Sequence, residues 1–226
     1  MRTVLTIIFI LLLVSFLSYA QPAKGQFSIF GGLSMPQGDF ANNDFGEDAG
    51  FAKTGFCLGA EYVKPLNSPG LSWVTNVSII FNSVDADPIA EGYGEEQGVD
   101  LSGDAGSYLN IPVMTGIRYQ SETSPTMQIY GLAQVGLNYM KPPTVELSAE
   151  YITAEMETES KTSFGFGIGA GMILNNKYNI GFRYLTFGEQ DLESTIDIPG
   201  IGTYDEDSEM SLSMILITVG IALGDN

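Results

Sequence analysis

The chain has 226 residues, of which 27 are acidic, 9 are basic and none is histidine, so its formal net charge is −18 at pH 7. Nucleic-acid binding requires clustered Lys and Arg side chains that neutralise phosphates, and this charge balance excludes it. The lack of histidine excludes Ser-His-Asp and Cys-His nucleophilic sites, and a single cysteine, Cys57, excludes an intrachain disulfide.

The first twenty residues have the pattern of a secretory signal peptide. Arg2 supplies the positive start, residues 4–17 form an apolar run, and Ser18, Tyr19 and Ala20 precede the expected cleavage point. The run is shorter than the roughly 20 apolar residues that a membrane-spanning helix needs. We therefore expect residues 1–20 to be removed and residues 21–226 to fold as one β-domain.

Eight strand-like stretches follow, and most of them reach the roughly 9–11 residues that a tilted strand needs to cross a bilayer. In chain order they are 26–34, 54–63, 71–82, 108–119, 127–139, 162–174, 178–187 and 210–223. Short connections at 64–70, 120–126 and 175–177 alternate with long ones, and the Asn-Asn pair in the last is suited to a tight hairpin turn. The pattern predicts an eight-stranded antiparallel up-and-down transmembrane β-barrel.

Acidic residues are concentrated in four long connecting segments. Residues 35–53, 83–107, 140–161 and 188–209 contain 4, 7, 5 and 8 of them, which is 24 of the 27. In an up-and-down sheet these segments all emerge at one end of the barrel, here called the long-loop end, and the short connections at the other, the short-turn end. Together with an export signal, this asymmetry predicts an outer-membrane barrel whose acidic loops face outward.

Alternation gives each strand an apolar face and a less apolar face, which is typical of strands with one polar side. In the clearest case, 162–174, the less apolar face is a glycine row: Gly165, Gly167, Gly169 and Gly171. Eight strands leave an interior just wide enough for side chains, so we expect the row to make room for large lumen residues such as Arg183. The last strand is apolar on both faces, and parity does not fix its register.

Aromatic side chains on the apolar faces cluster at two heights, as expected for belts at two membrane interfaces. The short-turn belt consists of Tyr62, Trp73, Tyr119 and Tyr178. The long-loop belt consists of Phe56, Phe81, Tyr139, Phe164 and Phe187. A soluble sandwich or lipocalin-like barrel with aromatics in its core is the alternative, but such a barrel rarely needs two belts.

Three charged residues, Glu61, Arg118 and Arg183, lie inside the predicted strands, all on the less apolar face. An arginine facing lipid at mid-membrane costs about 2–4 kcal/mol, so this parity favours the lumen. We expect Glu61 and Arg118 to form an ion pair near the short-turn end; the functional alternative is a gate in a water path. Cys57 also faces the lumen, where a small buried thiol is expected to be inert.

Several acidic loop residues offer the hard oxygen ligands that calcium prefers. They are Asp85, Asp87, Asp205, Asp207 and Glu209. These residues fall in two stretches, 85–87 and 205–209, and neither stretch follows the EF-hand pattern. A solvated charge run is therefore the favoured interpretation, and weak divalent-cation binding is the alternative. A carboxylate pair acting as acid and base is formally open, but nothing fixes the spacing of the loop acids.

Aromatic residues also occur within the long acidic segments. They are Phe40, Phe45, Phe51, Tyr93, Tyr151 and Tyr204. Two interpretations are open, because these side chains serve adhesion if they are exposed and hold the loops together if they pack against one another.

Four stretches give the chain a family resemblance. They are 30–40 (FGGLSMPQGDF), 110–113 (NIPV), 130–138 (YGLAQVGLN) and 181–185 (GFRYL). On these residues the chain resembles the small outer-membrane β-barrels of Gram-negative bacteria, a porin-like group related in fold to OmpA, OmpX and OmpW. The resemblance implies a barrel that is embedded in outer-membrane lipid and inserted by the outer-membrane assembly machinery.

The functional expectation is a non-enzymatic barrel that needs no cofactor. Its role is structural, or it binds an extracellular ligand or surface partner through the long acidic loops. The alternatives are transport of small apolar solutes or ions across the outer membrane, and a soluble periplasmic binding barrel. Lumen content discriminates between the first two, because a conduit needs a continuous unfilled path.

Overall fold

The computed structural model describes residues 25–46, 48–149, 152–199 and 202–223. The predicted signal peptide and its cleavage point lie outside these residues. Within the described part of the chain, no helix combines the length and the hydropathy needed to cross a membrane.

The chain folds almost entirely into antiparallel strands. They are β1 (Gln26–Gln37), β2 (Gly55–Pro65), β3 (Leu71–Ser83), β4 (Ser102–Ala105), β5 (Ser107–Ser124), β6 (Met127–Lys141), β7 (Val145–Ala149), β8 (Ile152–Thr158), β9 (Lys161–Leu174), β10 (Tyr178–Ile198) and β11 (Gly202–Leu223). A 3-10 turn (Gly38–Ala41) follows β1, and an α-helix, α1 (Asp87–Gln97), lies between β3 and β4.

Eight of these strands close into a barrel. The hydrogen-bonded order is β1-β2-β3-β5-β6-β9-β10-β11, and β11 returns to pair with β1 from Phe27–Leu223 to Gln37–Ser213. The predicted all-β fold with eight barrel strands is therefore confirmed. The hairpin between β9 and β10 is as predicted, because Asn175 and Asn176 take the positive φ values of 52° and 54° that a tight turn requires.

Side chains alternate between an exposed apolar outer face and a buried lumen. Leu58 and Phe164, each 64% exposed, stand on the outer face. On β11, Met214 and Leu216 are buried whereas Val219 is 61% exposed, so the structure decides the register that parity left open. The outer face would be a large apolar patch in water, but it suits contact with hydrocarbon.

The glycine row faces the lumen and makes room for large side chains. A Cβ atom added at any of its four positions would come within 2.9 Å of a lumen side chain. In chain order, the side chains opposite are those of Phe187, Leu185, Arg183 and Tyr130. Because these contacts leave no space for a methyl group, the row determines which bulky residues the lumen can hold.

The expectation that Phe187 belongs to the long-loop belt is wrong. Phe187 is only 2% exposed and shares the inward parity of Arg183. Just beyond it, Gly188 adopts a φ of 70°, and the β10–β11 ladder shifts register between Thr186 and Glu189. This bulge reverses the alternation of β10. Odd-numbered residues face inward up to Phe187, and even-numbered residues face inward from residue 190 onward.

The acid-rich segments fold together into a cap at the long-loop end. We define the cap as the described residues of 38–54, 84–106, 142–160 and 188–209. β10 and β11 continue beyond the barrel as a hairpin, and β8, β7 and β4 extend its sheet in that order. α1 begins at Asp87-Pro88, where proline is tolerated, and stops at Gly98, whose φ is 67°.

Apolar residues from different segments hold the cap together. The fully buried Phe40 packs edge-on against Tyr108 at the barrel mouth, with ring centroids 5.0 Å apart, and Phe45 packs in the same way against Tyr93 of α1. A second cluster comprises Phe51, Ile89, Ala90, Val145 and Leu147. Tyr204 is 53% exposed, and Tyr151 lies outside the described residues. Packing of the loops is therefore the main role of these aromatics in the fold.

We expect Gly171→Val to lower the stability of the barrel. A Cβ at Gly171 would lie 2.4 Å from both the Ile180 carbonyl oxygen and the Tyr130 hydroxyl oxygen, so the strand has to shift. Overpacking of this kind typically lowers the free energy of unfolding by about 1–3 kcal/mol. Urea titration of the protein folded in detergent micelles measures this loss as a lower midpoint concentration.

The matched control is Gly131→Val on the outer face. A Cβ there meets nothing closer than the Gly169 carbonyl oxygen at 3.9 Å. Equal destabilisation by the two substitutions would contradict the steric role assigned to the glycine row.

Candidate functional site

Three buried charged residues meet in the lumen. Glu61, Arg118 and Arg183, which we call the ion triad, are 1%, 2% and 3% exposed. Arg118 Nη1 donates to Glu61 Oε1 at 3.3 Å, and Arg183 Nη2 donates to Glu61 Oε2. One carboxylate therefore bridges two guanidinium groups from β5 and β10, where the sequence suggested a pair.

Ladder register explains why these side chains meet. Glu61 on β2 is the cross-strand partner of Asn76 on β3, and Arg118 on β5 is the partner of Ser72 on the same strand. β10 reaches the triad from across the barrel, where Gly169 leaves space beside Arg183. Each residue comes from an inward-facing position, so closure of the barrel brings the three charges together.

Aromatic rings cover the faces of both guanidinium groups. Arg118 Cζ lies 4.0 Å from the centroid of the Tyr130 ring, and Arg183 Cζ lies 5.0 Å from that of Phe30. Tyr130 is itself fixed, because its hydroxyl donates to Asn179 Oδ1 at 2.9 Å. Cation–π contacts of this kind partly replace the water that the guanidinium groups lose on burial.

Side chains fill the lumen at successive heights above the triad. Asn76 Nδ2 donates to Gln134 Oε1 at 3.0 Å, and an apolar layer follows that includes Met114, Leu185 and Met214. Nearer the mouth, two further polar pairs lie on the inner wall, one between β1 and β3 and one between the neighbouring strands β5 and β6. They are Ser34–Asn82, at 3.0 Å, and Asn110–Asn138, at 2.7 Å.

Two recesses lie outside this filled region. One of about 210 Å³ opens at the short-turn end, with Ser72, Gln120 and Gln128 in its lining. The other, of about 540 Å³, lies where the barrel wall meets the cap and is lined in part by Asp104, Lys141 and Glu146. The second recess is not predicted from the sequence. Its signal is the Pro142-Pro143 pair, which lacks backbone N–H donors and separates β6 from β7.

Most predicted belt residues stand on the outer face. Trp73, Tyr119 and Tyr178 are exposed in the short-turn belt, and Phe56, Tyr139 and Phe164 in the long-loop belt. Tyr62 and Phe81 are half-buried. Phe81 is partly covered by its cross-strand partner Phe56, whose ring centroid is 5.2 Å away.

Carboxylates line one face of the β10–β11 hairpin. We call this set the acidic ladder: Glu189, Asp191, Glu193, Asp205, Asp207 and Glu209. Asp191 lies directly opposite Glu209, and Glu193 opposite Asp207. Like charges in such positions repel one another. A hydrogen bond that the protonated Glu209 carboxyl donates to Glu189, followed by the negative charges of Glu189 and Asp191, raises the pKa of Glu209 above its ordinary value of 4.5.

The candidate calcium ligands lie in different settings. Asp85 pairs with Lys53 at 3.0 Å, and Asp87 lies in the first turn of α1. Asp205, Asp207 and Glu209 belong to the acidic ladder on β11. Among the residues that the structure describes, no group of three or more His, Cys, Asp or Glu side chains is arranged to hold a metal ion.

Comparison with known proteins identifies a family. The family model described as "Outer membrane protein beta-barrel domain" matches residues 9–221. A major outer membrane protein from Thermus thermophilus is similar in structure, with a TM-score of 0.52, 12% identity and coverage of 88% of this chain and 98% of that one. Neisserial surface protein A gives a TM-score of 0.48, 13% identity and coverage of 88% and 96%. No protein of curated function matches the sequence.

We expect Glu61→Gln to destabilise the folded barrel strongly. The substitution leaves two buried guanidinium groups without a counter-charge, and breaking a buried ion pair in this way costs about 3–5 kcal/mol. The free energy of unfolding, from urea titration in detergent micelles, measures the loss.

Glu122→Gln serves as the control, because Glu122 is exposed near the short-turn end. Its effect should stay within about 0.5 kcal/mol, as for most surface substitutions. If the two variants unfold at the same urea concentration, the ion triad does not stabilise the lumen.

Proposed function

The chain belongs to the outer membrane protein β-barrel family and lies in the bacterial outer membrane, and we propose that it acts there as a non-enzymatic structural or surface-interaction protein. The observation that carries the proposal is the filled lumen. Side chains occupy it from the ion triad to Phe40 and Tyr108 at the mouth, so the acid-rich cap is the part of the molecule built to meet a partner.

The orientation follows from the shapes of the two ends. The exposed apolar face contacts the lipid of the outer membrane. We place the cap outside the cell and the short turns in the periplasm, since barrels of this type have long extracellular loops and short periplasmic turns. Insertion by the outer-membrane assembly machinery accords with this arrangement.

The acidic ladder gives the cap a defined electrostatic character. Its carboxylates stand on a paired two-stranded backbone, and among the ion pairs of the described residues only Lys161, 3.3 Å from Glu193, neutralises one of them. A rigid negative surface favours a positively charged partner, because complementary charge raises the rate and the specificity of association. We therefore propose a cationic peptide or protein segment as the partner class.

Transport of small apolar solutes or ions is the second candidate. One observation favours it, the recess of about 540 Å³ where the wall meets the cap beside the exposed Lys141. Leu109 and Lys141 of its lining stand on the outer face of the wall, and the lumen itself is filled, so transport through the barrel requires a rearrangement of buried side chains.

Planar-bilayer recording of the refolded protein separates the two candidates. A barrel of eight strands whose described lumen residues pack against one another should give no resolvable stepwise conductance, because its interior is just wide enough for side chains. Protease protection of the strands in the same membranes verifies insertion. Reproducible conductance steps from inserted protein would favour transport and contradict the proposal.

Binding of an oligolysine peptide tests the acidic ladder. Removing two of its charges with Asp191→Asn and Asp207→Asn should weaken binding about 2- to 30-fold, since each exposed ion pair contributes about 0.2–1 kcal/mol. Binding should also weaken on acidification, beginning above pH 4.5 because the raised pKa of Glu209 lets it take up a proton early.

The control variant, Glu91→Gln with Glu95→Gln, removes the same charge from α1, where both carboxylates are exposed. It should affect binding less than the ladder variant. Equal losses in the two would show that net charge, and not the ladder, attracts the peptide.

A further inference from the structure

Charge in the lumen is unbalanced. Among the described residues, the charged side chains that are buried are Glu61, Arg118 and Arg183, which sum to +1. Guanidinium groups do not deprotonate in proteins, so the surplus charge persists at any physiological pH. A surplus charge in a low-dielectric interior is costly unless a counter-charge accompanies it.

The same layer contains hydrogen-bond donors without acceptors. Arg118 Nε and Nη2, Arg183 Nε and Nη1, and Gln134 Nε2 are all buried and unpartnered. Gln134 belongs to this layer because it accepts a hydrogen bond from Asn76, the cross-strand partner of Glu61. Every unpartnered side-chain atom beside the triad is therefore a donor.

A set that consists only of donors selects its occupant. A cation is excluded by charge, and a neutral water molecule would leave the surplus charge in place. An anion accepts from several N–H groups at once and removes the surplus charge. Tyr130 and Phe30 cover the faces of the guanidinium groups, so the ligand has to approach the edges that Glu61 leaves free.

We propose that the lumen binds one small monovalent inorganic anion of about the size of chloride, held by the free edges of Arg118 and Arg183 with Gln134. A monovalent ion balances a charge of +1. The recess of about 210 Å³ at the short-turn end supplies the entrance, since its lining includes Ser72, the cross-strand partner of Arg118.

Thermal unfolding in zwitterionic detergent micelles tests the proposal, with chloride exchanged for gluconate at constant ionic strength. The midpoint should rise with chloride concentration and then saturate. For a dissociation constant of about 10 mM, about 100 mM chloride shifts the folding equilibrium about tenfold towards the barrel. A midpoint that does not change with chloride overturns the proposal.

Charge variants separate binding from a general salt effect. Arg183→Met removes the surplus charge and should abolish the chloride-dependent shift, whereas Glu61→Gln raises the surplus to +2 and should enlarge it. Arg118→Met replaces Arg183→Met if the latter does not refold. Retention of the wild-type chloride response in the arginine variants contradicts the assigned ligands.

Cys57→Ser is the matched control, because it changes a buried lumen residue without changing charge. It should keep the wild-type response to chloride. Crystals grown in bromide give a direct second measurement. An anomalous peak beside the two guanidinium edges supports the site, and its absence overturns it.

Discussion

The fold depends on the pairing of β11 with both β10 and β1. A sheet with open edges would expose unpaired N–H and C=O groups, and hydrocarbon offers them no hydrogen-bond partners. Closure removes both edges and at the same time converts one face of every strand into the wall of a lumen. The ion triad, the glycine row and the polar pairs exist because closure brings these inner faces together.

The outer and inner faces of the barrel wall have different surroundings, which require different residues. On the outside, exposed apolar residues such as Leu58 and Phe164 contact the hydrocarbon chains of the membrane. Inside, eight strands enclose a space that has to be filled by side chains alone. Glycines therefore stand opposite large residues, and Glu61 lies between two arginines. In the cap, β10 and β11 continue the barrel wall and three further strands extend their sheet.

Much of this architecture could be predicted because period-2 alternation is a local signal. The outward positions and the inward parity of Glu61, Arg118 and Arg183 follow from it directly. Phe187 was assigned to the wrong face although its parity already matched that of Arg183. The helix α1 was missed although Asp87-Pro88 and Gly98 mark its ends, because high acidity made residues 83–107 resemble a plain loop.

By itself, the sequence determined the strands, their polar and apolar faces and the end at which the acids collect, because each depends on spacing along one strand. Only the tertiary structure decided that Arg183 joins Glu61 and Arg118, that β11 turns Met214 inward, and that four acidic segments pack into one cap. Those features depend on cross-strand register and on which strands meet when the sheet closes. Such long-range contacts leave no periodic trace in the chain.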